Sequence, residues 1–150
     1  MRKGKSPKYV FLAACLQLQT AQEYLVLLKA VRGPYAAVVR QNFSAALAGL
    51  YGGAGHRREK GCLEALRERC AKLPGFSGNE GSQLLEEIGE LCRRCGAFLA
   101  KAPPLGAVSL LEAEQLITDT EAVLREIETR LFAASGSQNS LCHFMEQCSR

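Results

Sequence analysis

SQLLEEIGELCRRCGAFLAK, residues 82–101, decides the fold of this chain. Its large apolar side chains recur at intervals of four, three, four and three residues: Leu84, Ile88, Leu91, Cys95 and Phe98. That spacing places them on one face of an α-helix. Glutamates come early in the stretch and basic residues come late, which is the order that the helix dipole favours. The stretch therefore predicts an amphipathic helix over 82–101 that buries one face.

Helical periodicity recurs on both sides of this segment, and no strand pattern is visible. It predicts four further helices, over 9–32, 35–51, 57–73 and 109–134, separated by segments rich in glycine and proline. Ser109 and Glu112 have the spacing of a capping box at the start of the last helix. Phe76 is expected to plug onto the core from the loop before residue 82. The predicted fold is all-α: an antiparallel bundle of four to five amphipathic helices with a short C-terminal helix.

A single helical-bundle domain is expected for all 150 residues. Residues 1–8 are predicted to be a basic flexible tail, and residues 135–150 a tail with a short helix. A chain of this length can bury a sufficient core without a disulfide or a structural metal.

The first predicted helix is unusually apolar. Residues at intervals of four and three form its seam: Ala14, Leu18, Ala21, Leu25 and Leu28. A second group is expected to widen that seam: Phe11, Leu16, Val26, Leu27 and Val31. Such a helix is either central to the bundle or covered by a partner. Its glutamines and Glu23 argue against a membrane span.

Seven cysteines occur at irregular spacing, and six of them lie on or beside apolar faces. An odd number without a regular framework favours reduced thiols in an intracellular, cytoplasmic protein. The basic start followed by the apolar run Tyr9–Leu16 leaves export, lipidation and organelle import open as alternatives.

Charge is divided between the two halves of the chain. Residues 1–72 carry thirteen Lys/Arg against four Asp/Glu, and residues 73–150 carry six against eleven. A basic half beside an acidic half indicates either a surface for acidic partners or two sets of helices that attract each other. Glutamates at helix starts and charges that pair within a helix account for part of the division.

A glycine-rich turn at 52–55, followed by basic residues, is the most function-like segment. Free N–H groups at the start of a helix, with arginines beside them, can hold a phosphate. The segment lacks the Lys-Ser/Thr ending and the preceding strand of a P-loop. The candidate anion- or nucleic-acid-binding residues are His56, Arg57, Arg58, Lys60, Arg67 and Arg69.

The sequence gives little indication of a catalytic or metal-binding site. Only two histidines occur, and neither belongs to a recognisable triad. Cys92 and Cys95 form a C-x-x-C that Cys142, His143 and Cys148 could extend to a zinc site, but both lie on the apolar stripe of their helix, which favours packing. No catalytic residue, no metal and no cofactor is predicted.

These patterns together predict a non-enzymatic helical binding protein that acts as a small subunit, adaptor or chaperone in a protein assembly. Its expected partner is another protein or a second copy, and the surfaces favoured for binding are the apolar first helix and the basic 55–72 region. The alternative is a subunit of a ribonucleoprotein or DNA complex that binds phosphates through a basic helix. The absence of an aromatic platform beside the basic residues weakens that alternative.

Overall fold

The computed structural model describes residues 6–52, 60–100 and 107–133. These residues form five α-helices and one 3₁₀ turn: α1 (Pro7–Ala30), α2 (Tyr35–Tyr51), α3 (Cys62–Cys70), the turn Pro74–Phe76, α4 (Asn79–Ala100) and α5 (Ala107–Ala133). No strand occurs in this part of the chain. The all-α prediction is confirmed.

Local chemistry explains where α1 and α2 begin and end. The Ser6 hydroxyl accepts a hydrogen bond from the Tyr9 backbone N–H at 3.2 Å, and Pro7 occupies the first turn, where its missing donor has no cost. Gly33 adopts φ +75° in the turn between the helices, a conformation that other residues rarely adopt. Because of the cap at Ser6, α1 starts two residues earlier than predicted. It therefore includes Lys8, which the sequence assigned to the tail.

Three predicted segments differ from the structure or lie outside it. The helix predicted from residue 57 begins only at Cys62, because the Gly61 backbone packs against Tyr51 and Gly52 so closely that a Cβ there would overlap both. The capping box is wrong, since α5 already includes Ser109 as its third residue. The predicted C-terminal helix and residues 1–5 lie outside the described residues.

The core is one apolar cluster to which all five helices contribute. The predicted stripe of α4, from Leu84 to Phe98, is buried at every position. Phe76 is buried, so the predicted plug onto the core is confirmed. The largest fully buried side chains of the core are Phe11, Phe43, Leu47, Leu50, Leu63, Leu66, Ile88 and Ile127.

Contacts at both ends show that α1 and α5 run in opposite directions. The rings of Phe11 and Phe132 meet edge to face at 6.5 Å, and at the other end Lys29 Nζ lies 2.7 Å from a carboxylate oxygen of Glu114. α1 and α2 form a helical hairpin, with Gln17 packed on Gly49. The antiparallel order of the bundle as a whole stays a prediction.

Candidate functional site

The residues proposed for anion binding fall into two groups. His56, Arg57 and Arg58 lie outside the described residues. Lys60 precedes α3, and its ammonium group is 2.9 Å from the Glu68 carboxylate. The hydrogen bond from Lys60 lowers the pKa of that carboxyl. Lys60 is thus already engaged by an acidic residue of its own chain.

Arg67 lies over α4 rather than beside Lys60. Its Nη1 is 3.1 Å from the point where a Cβ on Gly89 would stand, and Nη1 of Arg93 is 3.8 Å from the same point. Arg93 is in turn paired with Glu90 at 2.6 Å. The structure therefore brings Arg67 close to Arg93, a neighbour that the sequence did not indicate.

Arg69 is half-buried on α3, so its side chain is less accessible than that of Arg67. Lys60 and Arg67 contact different parts of the fold, and one of the two is neutralised. The anion-binding role of these residues stays a prediction.

The C-x-x-C cysteines belong to the packing of α4. Cys95 is buried, and burial raises the pKa of its thiol to about 12, which keeps it protonated at neutral pH. No group of three or more His, Cys, Asp or Glu suited to a metal occurs in the described residues. Cys142, His143 and Cys148 lie outside them. A zinc site built on Cys92 and Cys95 receives no support from this geometry.

A shallow groove runs between α4 and α5. Arg94 crosses it to Asp119, with 2.8 Å between Nη1 and Oδ2, and divides it into two open depressions of about 280 and 310 Å³. Leu91, Leu116 and Val123 line its floor. The ion pair connects the two helices across a groove whose floor is apolar.

The most unusual surface lies on α1. Besides the seam that faces the core, α1 carries a second row of residues at intervals of three and four, which we call the outer seam: Tyr9, Leu12, Leu16, Gln19, Glu23 and Val26. It is offset by two residues from the core seam at Ala14, Leu18, Ala21 and Leu25. Two residues correspond to a rotation of about 200°, so the outer seam lies on the opposite side of the helix.

Apolar side chains of the outer seam are open to solvent. Leu16 is 45% exposed and Val26 is 66% exposed, and Leu27 beside them is exposed as well. The sequence assigned these three to the widened core seam, and that assignment is wrong. Periodicity detects a row of apolar residues, but it does not reveal whether a second row also has a neighbouring helix.

α2 repeats this arrangement. Tyr35, Val38, Asn42 and Ala45 are exposed at intervals of three, four and three. Tyr35 is 73% exposed, although the series Tyr35, Val39 and Phe43, at intervals of four, predicts that it belongs to the core stripe of this helix. No residue from Val26 to Asn42 is fully buried, although Leu28 packs against the core. We call the outer seam of α1, Leu27 and this exposed side of α2 the hairpin surface.

Charge is sparse in this hairpin away from Lys8, Lys29 and Arg32, which lie at or just beyond the ends of α1. Residues 9–28 contain a single charged residue, Glu23, and residues 33–56 contain a single one, Arg40. Surface helices ordinarily carry charged residues on their solvent side, as α4 and α5 do here. Depletion of charge on an exposed, partly apolar surface is typical of the central part of a protein interface.

α1 is the one helix of the described residues that is long and apolar enough to cross a membrane by length and composition, and 33% of the relevant window is buried within the protein. A core helix or an N-terminal signal sequence has the same properties. The expected absence of a membrane span stays a prediction.

Comparison of the chain with protein families, with curated proteins and with solved structures returned no match.

Proposed function

We propose that the protein is a non-enzymatic helical binding protein, a small subunit, adaptor or chaperone of a protein assembly, and that it binds through the hairpin surface. One observation carries this proposal: α1 has a second, exposed apolar seam on the side opposite the core. A helix with apolar residues on two opposite faces is most stable when both faces are covered.

Energetics support a contact of this kind. Complete burial of a valine or leucine side chain that was exposed contributes about 1.5–3 kcal/mol. The hairpin surface offers several such side chains at once, including Leu16, Val26 and Val38, each of them about half exposed or more. Few charges would have to lose their hydration, since Glu23 and Arg40 are the only charged residues within 9–28 and 33–56.

Affinity purification from the native cell with point variants tests the proposal. Leu16→Asp and Val38→Asp each place a charge on the hairpin surface, at side chains that are 45% and 54% exposed. Leu111→Asp is the matched control, because Leu111 is 65% exposed but lies on α5. We expect a stoichiometric protein partner with the wild type and the control, and its loss, at least tenfold, with both hairpin variants.

Circular dichroism and thermal unfolding of the same variants establish whether each is folded. A partner retained by folded Leu16→Asp and Val38→Asp proteins would contradict a binding role for this surface. The absence of any protein partner for the wild type would argue against the adaptor or subunit role itself.

The nucleic-acid alternative retains one supporting feature, the proximity of Arg67 and Arg93 over Gly89. Two neighbouring guanidinium groups can bind phosphate oxygens without sequence preference. A labelled oligonucleotide that binds the wild type at low salt, but not Arg67→Glu, would favour this second function over the first.

A further inference from the structure

The chain leaves its last described helix beside the outer seam of α1. α5 ends at Ala133, and the ring of Phe132 in its last turn lies 6.5 Å from the ring of Phe11. Lys8 Nζ is 4.8 Å from the centroid of the same Phe132 ring. Because Lys8 and Leu12 are four residues apart, they lie on the same side of α1. The end of α5 is therefore next to the edge of the outer seam.

The sequence beyond α5 contains one apolar helical pattern. Leu141, Phe144, Met145 and Cys148 have the spacing i, i+3, i+4 and i+7, which places them on one side of a helix. These residues lie outside the described part of the chain, so the helix stays a prediction from the sequence. A helix of about two turns is stable only when its apolar side packs on another surface.

We propose that residues 141–148 bind the N-terminal part of the outer seam, at Tyr9, Leu12 and Leu16, and compete there with the protein partner of the hairpin surface. The apolar side of the segment covers the exposed apolar side chains of α1, and Leu16 belongs to both contacts. The segment is then an internal competitor that limits access to the hairpin surface until a partner displaces it. The competition rests on the proposed binding role of the hairpin surface, whereas the docking of the segment does not.

Length and reach fit this placement. Residues 9–16 and residues 141–148 each correspond to about 12 Å of helix. The connection from α5 to the segment, residues 134–140, spans up to about 23 Å when extended. Leu16 is only about 7.5 Å from Phe11 along the axis of α1. The connection is therefore long enough to turn and to lay the segment along the seam.

Charge favours the outer seam over the groove between α4 and α5, another surface with an apolar floor. Residues 9–22 contain no Asp, Glu, Lys or Arg, and residues 134–149 contain only Glu146, on the side of the predicted helix away from Phe144 and Cys148. The groove is instead lined by charged side chains: Glu87, Glu90, Arg94, Glu112 and Asp119. Apolar side chains laid in the groove would remove those charges from water, which is unfavourable.

The covalent connection favours this segment over a second copy of the chain. A segment joined to its site by a short linker has an effective concentration on the order of 1 mM. It therefore occupies the seam for most of the time even when its own Kd is as weak as about 0.1 mM. A second copy at about 10 µM with the same affinity would occupy little of the seam.

A photoreactive side chain in the full chain tests the placement. We expect p-benzoylphenylalanine in place of Phe144 to attach covalently to residues 9–16 of the same chain, as identified by mass spectrometry of the monomer. Tyr9→Asp changes a side chain that is 52% exposed, and it should reduce that attachment at least threefold. The same analogue in place of His143, on the other side of the predicted helix, is the control and should attach there at least threefold less. Circular dichroism establishes that each variant is folded.

Attachment to other sites would overturn the proposal. Cross-links from position 144 to α4 or α5 would place the segment in the groove between those helices. Cross-links between two chains would assign the seam to a second copy. A folded protein without attachment to residues 9–16 would likewise contradict the docking.

The affinity of the cellular partner tests the competition. The probe is the protein that copurifies with the wild type, once it has been purified itself. Phe144→Asp places a charge on the apolar side of the segment, and the partner should then bind about tenfold more tightly. That factor is the one expected when a competitor at about 1 mM with a Kd of about 0.1 mM is removed. His143→Asp is the matched control and should leave the Kd unchanged, and an unchanged Kd with folded Phe144→Asp would overturn the competition.

The two proposals fail separately. A cellular partner that is lost with Leu16→Asp, without attachment of position 144 to residues 9–16, would retain the adaptor and remove the docked segment. Attachment within the chain without any cellular partner would retain the docking and remove the adaptor, and the competition with it.

Discussion

At the scale of single residues, the pair Tyr51 and Thr120 shows how a polar group is accommodated in the core. The Thr120 hydroxyl donates to the Leu116 carbonyl oxygen at 2.8 Å, and a threonine hydroxyl has only one hydrogen. Tyr51 Oη must therefore be the donor to Thr120 Oγ1, at 2.6 Å. Both side chains are buried, and burial raises the pKa of Tyr51.

Replacement of Thr120 by valine should destabilise the protein more than the small change in side-chain shape suggests. Thr120→Val preserves the shape but leaves the buried Tyr51 hydroxyl without a partner, which costs about 1–3 kcal/mol. Tyr51→Phe should cost less, about 1 kcal/mol, because Thr120 keeps its bond to Leu116. Urea unfolding gives both values. Equal stability of Thr120→Val and the wild type would contradict the assigned hydrogen bond.

At the scale of elements, the turn Pro74–Phe76 depends on a glycine at the start of α4. The Phe76 side chain is buried, and its backbone comes so close to Gly81 that a Cβ on Gly81 would stand 2.5 Å from the Phe76 Cα. Only a residue without a side chain permits this approach. The aromatic side chain of Phe76 indicated from the sequence that this residue packs onto the core. The requirement for glycine at position 81 was not visible in the sequence.

Gly81→Ala should therefore displace the Phe76 turn from the core. We expect a loss of about 1–3 kcal/mol of unfolding free energy, since backbone atoms have to move. Gly96→Ala is the matched control on the same helix, because a Cβ there meets no atom within 4 Å. The control should gain about 0.5–1 kcal/mol from the lower entropy of the unfolded chain. Both are measured by chemical denaturation, and an equal response of the two variants would speak against the close packing at Gly81.

At the scale of the whole molecule, three buried acidic groups on three helices link stability to pH. They are Tyr51 on α2, Cys70 on α3 and Cys95 on α4. Burial raises the pKa of both thiols to about 12 and raises the pKa of Tyr51 as well. In the unfolded chain a thiol ionises near pH 8.5 and a tyrosine near pH 10.

Stability should consequently fall as the medium becomes alkaline. Below about pH 8.5 the three groups are protonated in both states, so their contribution is fully present. As pH rises toward 12 the unfolded state loses these protons first, and ionisation favours unfolding. Urea unfolding between pH 7 and 10.5 under reducing conditions should show a progressive decline above about pH 8.5. The double variant Cys70→Ala/Cys95→Ala should decline less steeply, and an identical slope would show that the two thiols are not responsible.

Much of the fold could be predicted from the sequence, because a helix that buries one face repeats its apolar residues in a pattern of local origin. The α4 stripe from Leu84 to Phe98 is buried as that pattern predicts. The α5 residues that repeat at intervals of three and four are buried as well: Ala113, Leu116, Thr120, Val123, Ile127 and Leu131. Helix ends were less predictable where they depend on contacts between distant segments, as at Gly61. Pairs such as Arg67 with Arg93 follow from helix packing and have no local signal.

The sequence by itself determined the helical class, the core faces of α4 and α5, and the excess of apolar residues on α1. It left two readings of α1, a central helix or one covered by a partner. Only the tertiary structure showed that Leu16 and Val26 are exposed, because burial depends on which neighbours surround a helix. Within the described residues no helix of this chain packs over the outer seam. The outer seam is therefore exposed, and it forms part of the hairpin surface proposed for binding.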